Sequence, residues 1–109
     1  MSEGLVPAFK HAVVNATVLK WFTDIGADDQ ACIRYVSVLV TTAEAADTLT
    51  FSDEDGSNVF AIVPLTAVGL FTFIYPDETI FMPVGHDIKV VHSGTSGVAN
   101  VCIAIGKFV

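Results

Sequence analysis

The chain has 109 residues, 52% of them hydrophobic and only 16% charged, with a formal net charge of −7. Its five basic residues, Lys10, Lys20, Arg34, Lys89 and Lys107, are scattered along the chain, which excludes the clustered cations that nucleic acid or an anionic membrane surface would need. Ordinary domains carry about 25% charged residues, so a surplus of apolar surface is the first thing this composition implies.

The length fits one domain, residues 1–109. Its start, Met1-Ser2-Glu3-Gly4-Leu5-Val6-Pro7, lacks the basic and apolar regions of a secretory leader and reads as a flexible arm over 1–7. Period-two alternation then dominates. Ala8–Val14 is a strand with Phe9, His11 and Val13 on one face, and Thr17–Thr23 a second strand rich in large apolar residues. Asp24 to Asp29 is a loop by its Gly and Asp content. Gln30–Val40 is a long strand, with Val36, Val38 and Val40 on one face and Ile33, Tyr35 and Leu39 on the other. Thr42–Asp47 is helix-like but too short for more than a single turn.

Thr48–Phe51 and Asn58–Val63 flank Asp55-Gly56, a hairpin signal because Gly accepts the positive φ of a tight turn. Gly69–Tyr75 follows, with Phe71 and Phe73 on one face. The uncharged run from Gly56 to Pro76 is long enough to span a bilayer, but Pro64 and Gly69 break it into two strands. Thr79–Met82 is a short strand, Asp87–His92 another, and Ser93-Gly94-Thr95-Ser96-Gly97 a hairpin loop leading to Val98–Ile105, whose Val101, Ile103 and Ile105 share a face. Eight or nine short strands with no full-length helix predict an all-β antiparallel sandwich of jelly-roll type.

The chemical candidates each have a plainer reading. His86 and His92 would stand about 20 Å apart along a continuous strand, too far for one metal ion. Asp53-Glu54-Asp55-Gly56 resembles part of a calcium loop, but Phe51 and Ile62 occupy positions that should carry ligands. Ser93, Thr95 and Ser96 lie beside His92 in sequence, and such neighbours rarely reach the geometry of a triad, in which a base meets the nucleophile and a third group orients it. No catalytic residue, metal site or cofactor is expected, and the chain is read as no enzyme. Cys32 and Cys102 are expected as unbridged buried thiols.

Several strands are apolar on both faces, whereas an antiparallel sheet in a lone molecule shows one polar face. The outer face is therefore expected to be covered, most simply by another copy in a closed oligomer. Leu5, Val6, Phe9, Trp21, Phe22, Phe71 and Phe73 are the residues expected to meet a partner.

The segments Asp47–Phe51, Asp55–Phe60, Gly69–Phe73, Gly85–Val91 and Ser93–Val101 resemble the small β-sandwich auxiliary proteins of tailed bacteriophages, which include capsid decoration or cement proteins. The similar stretches cover about half of the chain and form a style of strand and turn. The resemblance implies a homodimer or homotrimer on the outer capsid surface, made in the host cytoplasm, that binds the major capsid protein at junctions between capsomers. It implies no catalytic residues. Another virion component (tail, fibre or neck), a carbohydrate-binding module using Trp21 or Tyr75, and a small metal-dependent jelly-roll enzyme are the alternatives.

Overall fold

The structure, a computed structural model, describes residues 5–15, 19–22, 25–75, 80–94 and 96–108, with the side chains of 5 and 19–22 outside that description. Eight strands follow in chain order: β1 (Leu5–Asn15), β2 (Leu19–Phe22), β3 (Gln30–Thr42), β4 (Thr48–Asp53), β5 (Val59–Pro64), β6 (Gly69–Ile74), β7 (Ile88–His92) and β8 (Val98–Phe108). They form two antiparallel sheets, ordered β1-β8-β3-β6 and β2-β7-β4-β5.

The pairings are nested: β1 with β8, β2 with β7, β3 with β6, and β4 with β5. The chain is thus one long antiparallel ribbon with its tip at the β4–β5 turn. It closes where β3 meets β8 and β4 meets β7. This is a jelly roll, as the strand count predicts.

Alternation explains the interior. Val36, Val38 and Val40 of β3, Val101, Ile103 and Ile105 of β8, Leu49 and Phe51 of β4, Val63 of β5, and Ile88 and Val90 of β7 are buried in one core cluster. The two strand prolines, Pro7 and Pro64, lie on β1 and β5, which are both sheet edges. A residue with no N–H to donate is tolerated there. At the ribbon tip Gly56 has φ of 82°, the left-handed conformation that its place after Asp55 predicts.

Four expectations need correction. Ile33 is buried with Val36, not exposed with Tyr35 and Leu39. The β3–β8 register slips between Ile33 and Tyr35, and a bulge of one residue reverses the side on which its neighbours point. β1 starts at Leu5, with Leu5, Val6 and Pro7 paired to Phe108, Lys107 and Gly106, so the second half of the expected arm is strand; residues 1–4 lie outside the described residues. Around Phe81 there is an isolated bridge to Cys32 rather than a strand; residues 76–79 lie outside the described residues. Cys32 is buried as expected, but Cys102 is only half-buried and faces outward, and the register sets them opposite Gly106 and Ser37, so they form no disulfide.

Among the described residues no helix is long and apolar enough to cross a membrane. Phe51 is the largest fully buried side chain and lies edge-tilted to Phe60 at 6.1 Å. Phe51→Ala should cost about 3–5 kcal/mol of stability, read as a lowered urea midpoint with an unchanged slope.

Candidate functional site

Two sets of residues stand out: a pair of buried carboxylates around β4 and β7, and the outer face of the β1-β8-β3-β6 sheet.

Asp47 precedes β4 and Asp53 ends it; His86 precedes β7 and His92 ends it. Both pairs are six residues apart in sequence, and the strands run antiparallel. Each aspartate therefore meets one histidine. His92 Nε2 lies 3.0 Å from Asp47 Oδ2, and both residues are buried. The same oxygen accepts the backbone N–H groups of Gly97 at 2.8 Å and Ser96 at 3.3 Å. A Cβ on Gly94 would collide with the Asp47 carboxylate, so the β7–β8 loop needs glycine to close over it.

At the other end, His86 Nδ1 lies 3.0 Å from Asp53 Oδ2. Asn58 donates its side-chain amide to Oδ2 at 2.9 Å and its backbone N–H to Oδ1 at 3.1 Å.

These contacts set the acidities. The Gly97 amide holds the Asp47 carboxyl below its usual range against the opposing effect of burial, with His92 and Ser96 adding to the shift. Burial on its own would push the Asp53 carboxyl up; the Asn58 donors and His86 outweigh it and bring it down to about 2. The hydrogen bond to Asp53 raises His86 above its ordinary value, against partial desolvation and with help from the charges of Glu54 and Asp55.

Chemically this is bracing. His92 is buried beyond the reach of a substrate, and the Ser93 hydroxyl accepts the Thr48 amide at 2.9 Å. Thr95 lies outside the described residues. Asp53, Asp55 and His86 offer potential ligand atoms within 4.8 Å of one another. In the structure His86 meets Asp53 Oδ2 directly, and Asn58 donates to both Asp53 oxygens. The histidines thus serve separate aspartates at opposite ends of β7. Sequence reasoning missed these two pairs, and the matched six-residue spacings were the available signal.

The second set is the sheet's outer surface. Register aligns three rows across it: Phe9–Ala104–Tyr35–Ile74, His11–Cys102–Ser37–Thr72 and Val13–Asn100–Leu39–Leu70. None of these twelve positions is Asp, Glu, Lys or Arg, although the chain carries 17 such residues. Ile74 is 79% exposed, Phe9 69% and Leu70 64%; Val13, Leu39 and Tyr35 are also exposed. Ala104 and Gly106 of β8 are small, so Phe9 and Tyr35 stand as walls of a groove of about 540 Å³. A second groove of about 410 Å³ runs between Tyr35 and Ile74, and Arg34 lines both grooves. The Tyr35 hydroxyl sits 3.7 Å from Cys102 Sγ, in the middle of the face.

The residues expected to meet a partner divide accordingly. Phe9 is on this face; Val6 is exposed, but alternation along β1 turns it to the opposite side from Phe9. Phe71 and Phe73 point the other way: both are half-buried and pack against the core, while Leu70 and Ile74 are the exposed apolar residues of β6. Trp21 and Phe22 lie on β2, paired with Lys89 and Ile88; their side chains and that of Leu5 lie outside the described residues.

No protein-family model and no curated protein sequence matches the chain. Among solved structures it is similar to a carbohydrate-binding module (CBM6cm-2) of Cellvibrio mixtus lichenase 5A, at 13% identity and TM-score 0.49, covering 84% of this chain and 72% of that one. It is similar to a protein of Bacillus endospore appendages, which form disulfide-linked pili, at 14% identity and TM-score 0.49, covering 99% and 90%. It is also similar to the virus-like particle of extra small virus from the prawn Macrobrachium rosenbergii, at 8% identity and TM-score 0.44, covering 99% and 81%. The jelly-roll assignment rests on the strand order and register of this chain itself.

The shifted acidities give a pH window. His86 is raised above 6.5, so its contribution to stability is complete below pH 6.5 and lost as pH rises through the raised value. Asp53 is lowered from 3.8 to about 2, so its contribution is complete above pH 3.8 and lost as pH falls toward 2. The melting temperature should therefore be highest between about pH 4 and 6.5 and fall on both sides. His86→Gln should flatten the alkaline limb, and a wild-type profile already flat from pH 6 to 9 would refute the assignment. Asp47→Ala leaves the Gly97 and Ser96 amides and His92 without their acceptor and should lower the melting temperature by several degrees, measured by calorimetry.

Proposed function

We propose that this chain is a non-enzymatic structural protein of a tailed-phage particle, a cement that seats on the outside of the assembled head and holds neighbouring copies of the major capsid protein together. The observation that carries this reading is the outer face of the β1-β8-β3-β6 sheet, which exposes Phe9, Val13, Leu39, Leu70 and Ile74 and holds no acidic residue in its three rows, in a chain of net charge −7. Large exposed apolar side chains clustered on one sheet face, here on both sides of the polar row His11–Cys102–Ser37–Thr72, mark a contact with another protein. The acidic remainder suits a protein that stays outside, away from packaged DNA. A shell lattice repeats the same site many times, so modest contacts on each copy add through multivalency.

A place in the tail, fibre or neck would use the same surface, and the position of the protein in imaged particles separates these readings. The sugar-binding alternative loses one of its two platforms. Tyr75 packs against the core, sits edge-on to Phe60 at 6.4 Å and donates its hydroxyl hydrogen to the Phe60 carbonyl.

Purified protein should cosediment with undecorated heads of its own phage and raise their resistance to heat. Folded protein that stays in the supernatant beside intact matched heads overturns the proposal. A specific hit on a glycan array would favour the sugar-binding module instead.

A further inference from the structure

We infer that the outer face of the β1-β8-β3-β6 sheet pairs with the same face of a second copy of this chain, in a two-fold dimer. The inference rests on reading the chain as an assembly protein and assigns that face to the contact between two copies, so that the dimer would meet the shell through its remaining surface.

Three observations favour a second copy as the occupant. The first is charge. Two copies of a chain with net charge −7 repel each other over most of their surfaces, but the three rows of this face hold no Asp or Glu, and the charged side chain that lines its grooves is the cationic Arg34. Like molecules can therefore meet here without bringing their surplus carboxylates together.

The second is self-complementary relief. The face carries protruding side chains, Phe9, Leu70 and Ile74, and also two grooves beside Tyr35. A two-fold contact needs one patch that supplies both projections and recesses, because each residue's contact is repeated in reverse.

The third is area. β1, β3 and β8 run for 11, 13 and 11 residues and β6 for 6. With strands about 4.8 Å apart and a rise of about 3.4 Å per residue, the face projects roughly 600 Å². That reaches the lower end of the area each partner buries in a stable interface, about 600–1,000 Å².

Cys102 gives the geometry a handle. It occupies the middle row on β8, one of the two central strands, so a two-fold pairing centred on this face brings two Cys102 residues together across sheets about 10 Å apart. Cys32 is fully buried, which leaves Cys102 as the accessible thiol.

The test is the mass of the purified full chain at micromolar concentration, by light scattering and sedimentation equilibrium, with a short bismaleimide as cross-linker. Wild type should weigh twice 11.6 kDa and cross-link through Cys102, and Cys102→Ser should abolish the cross-link while leaving the mass unchanged. Ile74→Glu and Leu39→Glu should weaken pairing by about 100-fold or more and give monomers with wild-type circular dichroism. Ile62→Glu, on the exposed side of β5 in the other sheet, should remain dimeric. A wild-type monomer, a trimer, or a dimer broken by Ile62→Glu and not by Ile74→Glu overturns the pairing. A monomer that still cosediments with heads would sink the dimer and leave the cement reading standing; a dimer that ignores heads would do the reverse.

Discussion

The two Asp–His contacts sit on a seam that turns a ribbon into a roll. Nested pairing alone, β1 with β8 through β4 with β5, would leave a long flat hairpin. It becomes two packed sheets only when β4 meets β7 and β3 meets β8. The β3–β8 seam is long and apolar. The β4–β7 seam is short, only five residue pairs, and a buried carboxylate holds each end of it. Each carboxylate also gathers the adjacent loop: Asp53 shapes the ribbon tip through Asn58, and Asp47 closes the β7–β8 loop through Gly97. Buried anions are costly unless they are paired and hydrogen-bonded. Here that requirement fixes which loop lies over which strand end.

The two sheets differ in what their outer surfaces ask for. The long strands of the β1-β8-β3-β6 sheet have valines and isoleucines inside and an uncharged, largely apolar set outside. The core accounts for the inner set alone. Across the sandwich, Thr48 and Thr50 face outward from β4 and Lys89 from β7, with Ile62 and Val59 as exposed exceptions on β5. The exposed apolar side chains are thus concentrated on one side of the sandwich, with Arg34 as the charged residue lining its grooves.

Much of this was legible in the sequence, and the exceptions are instructive. Val36, Val38 and Val40 announced the inner face of β3 because strict alternation has only one meaning in a half-covered strand. Asp55-Gly56 located the ribbon tip. Ile33 misled because a bulge at Arg34 shifts the phase, and a bulge leaves no mark in the hydropathy pattern. Phe71 and Phe73 could not be assigned a side, since Leu70 and Ile74, which flank the pair, are equally apolar. The larger side chains went inward and the aliphatic ones outward. The aspartate–histidine contacts were invisible for a different reason: they join residues far apart in sequence, and their spacing acquires meaning only once β4 and β7 are known to be neighbours. The uncharged rows of the outer face needed the register of four strands before they could be seen as a face.

Nesting also has a cost in time. The outermost pair of the ribbon joins Leu5 to Phe108, close to the two ends of the chain, and none of the roll's seams is local. Chains dominated by such distant pairings have high contact order and reach their native state in milliseconds to seconds rather than microseconds. The tip at Asp53–Asn58 is the one pairing with a short loop to close. It is the natural place for the ribbon to nucleate, with β1 arriving last. Until it does, β8 presents an uncovered edge of Val101, Ile103 and Ile105, and a newly made molecule is exposed to aggregation over that interval.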